Sequence, residues 1–243
     1  MKKVLGLAIS FCMLFGTVFA KGVYDGDIQL HLGLGLDSAK AVAEESVYGQ
    51  TVKNTMKSGS TTVDFELSTW HLFDVNDLIG VGFNLGFSGG IGKSSKMVMT
   101  AESNGITIPV DQLFPVEFKP SIAGHFNGLI GPAVGFTLND VIKFDLAVGF
   151  AYGFDLYSYE YEIVTTNSRS TTGEAYMIFG AGFGCDVQAK FFPKSVVSPV
   201  LGYRLSSIFS SEVISSNSDN PSGYWDSVNY IANEIYLGVS FNW

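Results

Sequence analysis

Large apolar residues recur at every second position over long stretches, and this restricts the chain more than any other feature. Ile28, Leu30, Leu32, Leu34 and Leu36 alternate with Gln29, His31, Gly33 and Gly35. Ile142, Phe144, Leu146, Val148, Phe150, Tyr152, Phe154 and Leu156 hold one phase over a second, longer stretch. A helix would scatter these side chains around its circumference, whereas a strand sends all of them to one face. Eight such windows cover 28–36, 63–69, 79–87, 122–138, 142–156, 175–191, 197–209 and 231–243. The apolar phase holds 54 positions, none of them Asp, Glu, Lys or Arg. The opposite phase holds 46, of which nine are charged: Asp64, Glu66, Lys143, Asp145, Asp155, Asp186, Lys190, Arg204 and Glu234. Glycine is divided just as unevenly, with 14 in the polar phase and 2 in the apolar phase. A soluble sandwich would bury its bulky face and leave those glycines crowded on the solvent side. Bulky residues facing lipid, with small and polar ones facing a narrow lumen, account for both asymmetries.

The gaps between windows run 26, 9, 34, 3, 18, 5 and 21 residues, so long and short alternate throughout. An all-β, eight-stranded antiparallel up-and-down transmembrane β-barrel has this rhythm, with long outer loops and short periplasmic turns. Asp74–Leu78, Asn139-Asp140 and Phe192–Val196 are the expected inner turns. Residues 1–20 are expected to form a cleaved signal peptide, with Lys2 and Lys3 ahead of an apolar stretch and Ala20 at the cut. Residues 21–243 would then be the barrel. Cys185 would be the one remaining cysteine, so an internal disulfide is excluded and stability must come from closure and burial. A net charge of −9 and a pI near 4.7 argue against nucleic acid as a partner.

The C-terminus ends Tyr236-Leu237-Gly238-Val239-Ser240-Phe241-Asn242-Trp243. Tyr236, Gly238, Phe241 and Trp243 fall where outer-membrane barrels carry their terminal assembly signal. With the signal peptide and the eight windows, the chain resembles the small eight-stranded outer-membrane proteins of the OmpA, OmpX and OmpW type. The resemblance is architectural. It implies the outer membrane of a diderm bacterium, with outer-membrane lipid, periplasmic chaperones and the barrel-assembly machinery as partners and loops at the cell surface. It implies no cofactor.

Two short motifs are decoys. Gly86-Phe87-Ser88-Gly89-Gly90 has the spacing of a nucleophile elbow, but a polar loop follows where a helix is required. The same stretch through Lys93 fails as a phosphate loop, because its spacing is one residue too long. The three histidines, His31, His71 and His125, have no metal-ligand spacing, and no metal is expected. His31, Glu66 and Ser68 share a lumen depth and form the basis of a lesser reading as a lipid-modifying barrel enzyme.

The lumen of an eight-stranded barrel is filled by side chains or holds one small ligand. Lys143, Asp145, Asp186 and Lys190 are expected to pair and plug the inner mouth. Arg204 is expected mid-strand against Glu234 or Asp186, with Glu66 at the same constriction. Loop three carries Tyr159 and Tyr161 and loop four carries Tyr224 and Trp225, which are candidate contacts for an external partner. Loop two is expected to hold a short hairpin around Ile106–Pro109. Two functions follow. One is a narrow channel or binder for small, apolar solutes, as an OmpW-type resemblance implies. The other is a non-channel surface protein, structural or adhesive, that acts through its loops, as an OmpX-type resemblance implies. A continuous polar lumen favours the first, and a sealed lumen under ordered, protruding strands favours the second.

Overall fold

The computed structural model describes residues 24–95, 97–109, 112, 116–164, 169–210, 213–215 and 226–243. The expected signal peptide, Tyr224 and Trp225 lie outside these residues, as do the side chains of Tyr159 and Tyr161. The strands are β1 (Tyr24–Val47), β2 (Gln50–Asp74), β3 (Ile79–Ser94), β4 (Val98–Ser103), β5 (Ile106–Pro109), β6 (Val116–Thr137), β7 (Ile142–Val164), β8 (Arg169–Phe191), β9 (Val197–Ser210), β10 (Val213–Ser215) and β11 (Ser227–Asn242). Eight of them, β1, β2, β3, β6, β7, β8, β9 and β11, pair antiparallel with their neighbours in chain order. The sheet closes where β1 pairs with β11, with Ile28 opposite Phe241. Closure removes the sheet edges along the wall.

The alternation expected from sequence holds around the ring. All nine charged residues of the polar phase are buried inside. Leu30, Leu32, Leu34, Leu36, Phe65, Ile91, Phe183, Ile235 and Leu237 stand outside, each at least half exposed. An apolar surface that continuous is stable against lipid and a liability in water.

Three inner turns lie where expected. Two of them share one device. The side-chain oxygen of Asn76 accepts from the backbone N–H groups of Leu78 and Ile79 at 2.9 Å, and Asn139 does the same for Val141 and Ile142 at 2.8 and 2.9 Å. Such side-chain turns hold the chain reversal without a ladder. Lys194 and Asp140 pair at 2.5 Å across two of these turns.

The long outer loops differ from expectation, because most of their described residues are strand. β1 and β2 run on past their windows to a two-residue turn at Tyr48-Gly49, where φ is +51° and +79°. Positive φ at both positions matches the twist of the flanking strands. β7 and β8 likewise extend to Val164 and Arg169, so Tyr159 and Tyr161 belong to strand β7. The expected hairpin in loop two is β4–β5, turned by Asn104-Gly105 at φ +52° and +78° and paired along β2.

Candidate functional site: a layered lumen

The lumen is filled in layers, beginning at the end with the short turns. Lys143 and Lys190 stand directly opposite each other on β7 and β8. Each reaches across the lumen to a carboxylate of β1: Lys143 pairs with Asp25 and Lys190 with Asp27. Asp145 lies 3.5 Å from Lys143 and accepts from Gln188 at 3.0 Å. Asp27 also accepts from Gln29 and Ser240, both at 2.8 Å. Trp70, Leu72, Ala133 and Ala147 pack at the same end.

The second layer is built on Arg204. Its guanidinium donates to Asp186 at 2.6 and 3.1 Å and to Glu66 from the other side. Tyr236 donates to the second oxygen of Asp186 at 2.5 Å and stacks on His31 with ring centres 4.2 Å apart. His31 lies 3.2 Å from Glu66 and contacts Gln29 at 2.8 Å. Charge-assisted bonds of this kind hold a buried cation only when its partners are fixed, as they are here.

The third layer centres on His125, which is 3.0 Å from Asp37 and 3.6 Å from Asp64. Ser60 donates to Asp37 at 3.1 Å and Asn127 to Tyr230 at 3.3 Å. Between the second and third layers lies a cavity of about 10 Å³, lined by Asp37, Asp64, His125, Asn127, Arg204 and Glu234. That is room for about one water. The fourth layer has no charge: Ala39, Ala41, Ala43, Met56, Met97, Ala123, Tyr157, Ile178 and Val228 close the outer mouth as an apolar cluster.

The charged residues expected in the lumen lie there, and Arg204 pairs with Asp186, one of its two expected partners, while the expected inner-mouth plug loses one member. Lys143, Asp145 and Lys190 form the inner-mouth layer. Asp186 does not, because it sits opposite Arg204 across the β8–β9 ladder and is held there. Arg204 forms its ion pairs with Asp186 and Glu66, while Glu234 fills the space beside Gly33. Asp25 and Asp27 were missed, although both continue the lumen phase of β1 just before its window begins. Asp37 was missed at the other end of the same window for the same reason. His125 has no partner near it in sequence, and Asp37 and Asp64 reach it from distant strands. The lumen glycines relieve packing. A Cβ at Gly86 would stand 2.5 Å from an Arg204 nitrogen, and one at Gly202 would stand 2.2 Å from the Tyr236 ring.

Ser68 is buried, and His31 turns its two ring nitrogens to Glu66 and Gln29. His71 lies on the outer face, stacked on Phe83 with centres 4.6 Å apart. Among the described residues no three His, Cys, Asp or Glu side chains converge as a metal site. Of the terminal signal, Tyr236 and Gly238 face the lumen, and Phe241 and Trp243 are exposed on the wall. The backbone N–H of Trp243 donates to Gly26 at 3.1 Å across the closing seam.

The chain has the architecture of a small outer-membrane β-barrel. No family model and no curated protein matches it. Solved structures similar to it include Ail, the attachment invasion locus protein of Yersinia pestis, at 12% identity and TM-score 0.38, with 92% of this chain and 99% of that chain covered. The outer-membrane protease OmpT from Escherichia coli is similar at 10% identity and TM-score 0.39, covering 90% and 96%. Neisserial surface protein A is similar at 12% identity and TM-score 0.35, covering 88% and 96%.

Proposed function

We propose that this chain is an outer-membrane barrel with a closed lumen, and that it acts at the cell surface through the strands that rise beyond the membrane. It is a non-channel surface protein, structural or adhesive, and it carries out no catalysis. One observation supports this reading above the others: among the described residues, successive ionic layers and an apolar cluster occupy the lumen. A diffusion channel needs a continuous wet path, and the Arg204 layer leaves a space of about one water above it. Among the described residues the strands of the outer mouth include the paired hairpins β1–β2 and β4–β5, which suits them to present a surface. Barrel-assembly machinery and periplasmic chaperones are the partners expected during insertion.

The test is solute uptake. The signal-free chain is refolded into liposomes, its folding shown by heat-modifiable gel migration, and uptake of sugars and amino acids is compared with that of empty liposomes. No uptake above the empty control is expected. Size-limited uptake by the folded protein would overturn the closed-lumen reading.

A further inference from the structure

Two lysines on the outer wall stand where like charges should not meet. Lys40 on β1 and Lys57 on β2 are directly opposite and both exposed. Like charges across a ladder destabilise a sheet unless an anion lies between them. Among the described residues none does. Lys57 is flanked on β4 by Val98, and its diagonal neighbours on β1 are Ser38 and Val42. Lys40 is flanked on β11 by Asn229, with Ser227 and Ile231 diagonal to it. Lys53, four residues higher on β2, has the opposite environment, with Glu44 opposite on β1 and Glu102 opposite on β4. Inside the barrel, the like-charged pair Lys143 and Lys190 is satisfied by Asp25 and Asp27 from across the lumen. The outer wall has no opposite side to supply such partners.

The position of the pair indicates what supplies them. Lys40 lies four residues above Leu36, the last leucine on the outer face of β1, or roughly 13 Å along the strand. Directly below the pair runs an apolar groove of about 900 Å³ on the outer wall, lined by Leu34, Leu36, Thr61, Val63, Ile235 and Leu237, among others. A third exposed lysine, Lys93, stands opposite Thr61 at the flank of that groove. We propose that the groove and the lysines form one site for a phosphorylated acyl lipid of the outer leaflet. An acyl chain lies along the groove, and its phosphates sit between Lys40 and Lys57 and against Lys93. This rests on the membrane-barrel reading above. Juxtamembrane lysines are attracted to anionic headgroups, and apolar grooves in the wall are filled by chains.

Binding is measured by native mass spectrometry of the refolded protein in neutral detergent, titrated with lipid A, a phosphorylated acyl disaccharide. One bound lipid is expected. Lys57→Gln should weaken it about fivefold, and the triple change Lys40→Gln, Lys57→Gln, Lys93→Gln by about a hundredfold, from the usual contribution per lysine. Lys53→Gln, whose neighbours are carboxylates, should leave binding unchanged. Dephosphorylated lipid should bind wild type as weakly as phosphorylated lipid binds the triple variant, and inorganic phosphate should not compete. Equal binding by wild type and triple variant overturns the proposal. So does competition by inorganic phosphate, which would mark a free-anion site, and so does a protein dimer formed through the groove. Heat-modifiable migration of every variant separates the two readings. A folded protein that binds no lipid loses only this site, whereas a protein that never shows folded migration loses the barrel reading as well.

Discussion

The lower barrel and its outer extension are closed by opposite chemistry. At the level of the apolar belt, the wall shows Leu and Phe outward and the lumen holds Lys, Arg, His, Asp and Glu. In the extension the wall shows Ser38, Lys40, Glu44 and Ser46, and the interior holds Ala39, Ala41, Ala43 and Met56. On β1 the change falls between Leu36 and Ala39, within one unbroken strand and one register. The pleat does not slip. Which face is apolar changes because the surroundings change, from hydrocarbon below to water above. Burial of apolar area is favourable only where water is the alternative, and the lower interior adds ion pairs and hydrogen bonds to its small apolar clusters around Trp70 and Leu129.

The largest test of this contrast removes the charge that the lower layers depend on. Arg204→Met leaves Glu66 and Asp186 buried without a cation and is expected to cost about 3–5 kcal/mol in urea unfolding from vesicles. A second pair of changes probes the two walls. Leu32→Arg, at the middle of the belt, is expected to cost about 2–4 kcal/mol, because the charge must enter hydrocarbon. Ser46→Arg on the wall of the extension should stay within about 0.5 kcal/mol. Equal costs at the two positions would abolish the distinction between the walls. Gly86→Ala places a methyl 2.5 Å from an Arg204 nitrogen that two carboxylates hold in place. It should cost about 1–3 kcal/mol by the same unfolding measurement. The smallest effect is at the hairpin tip. Gly49→Ala, at φ +79° with open space around it, should cost about 1 kcal/mol and leave the lower barrel's protection from hydrogen exchange intact.

The barrel was legible in the sequence because one rule, bulky residues out and polar residues in, held over every membrane-level window. On β1 and β2 the extensions were not legible because the same rule inverts there. Leu36 ends a window because Ser38 and Lys40 break the apolar phase, and alternation read in one polarity takes that break for a loop. Asp37 shows the same effect from inside: it continues the lumen phase, yet it lies just beyond the window that would have claimed it. The turn Asn104-Gly105 was readable as a hairpin signal, whereas Tyr48-Gly49 was less so, since Tyr rarely adopts positive φ. The pairings within the lumen depend on the stagger of the strands. Lys190 to Asp27 and His125 to Asp37 each join strands that are not neighbours in the ring, and residue spacing carries no record of such contacts.

The most direct test of the two closed, oppositely built halves is a spin-label scan along β1, placing single labels in a Cys185→Ser background from position 28 to position 46. Collision with oxygen reports lipid, and collision with a water-soluble nickel chelate reports water. Outward positions should be lipid-accessible through 36 and water-accessible from 38 upward, while inward positions through 43 should be shielded from both. Nickel reaching the inward positions would show an open lumen, and oxygen-rich outward positions at 40 and 42 would show that the membrane does not end where the polarity inverts.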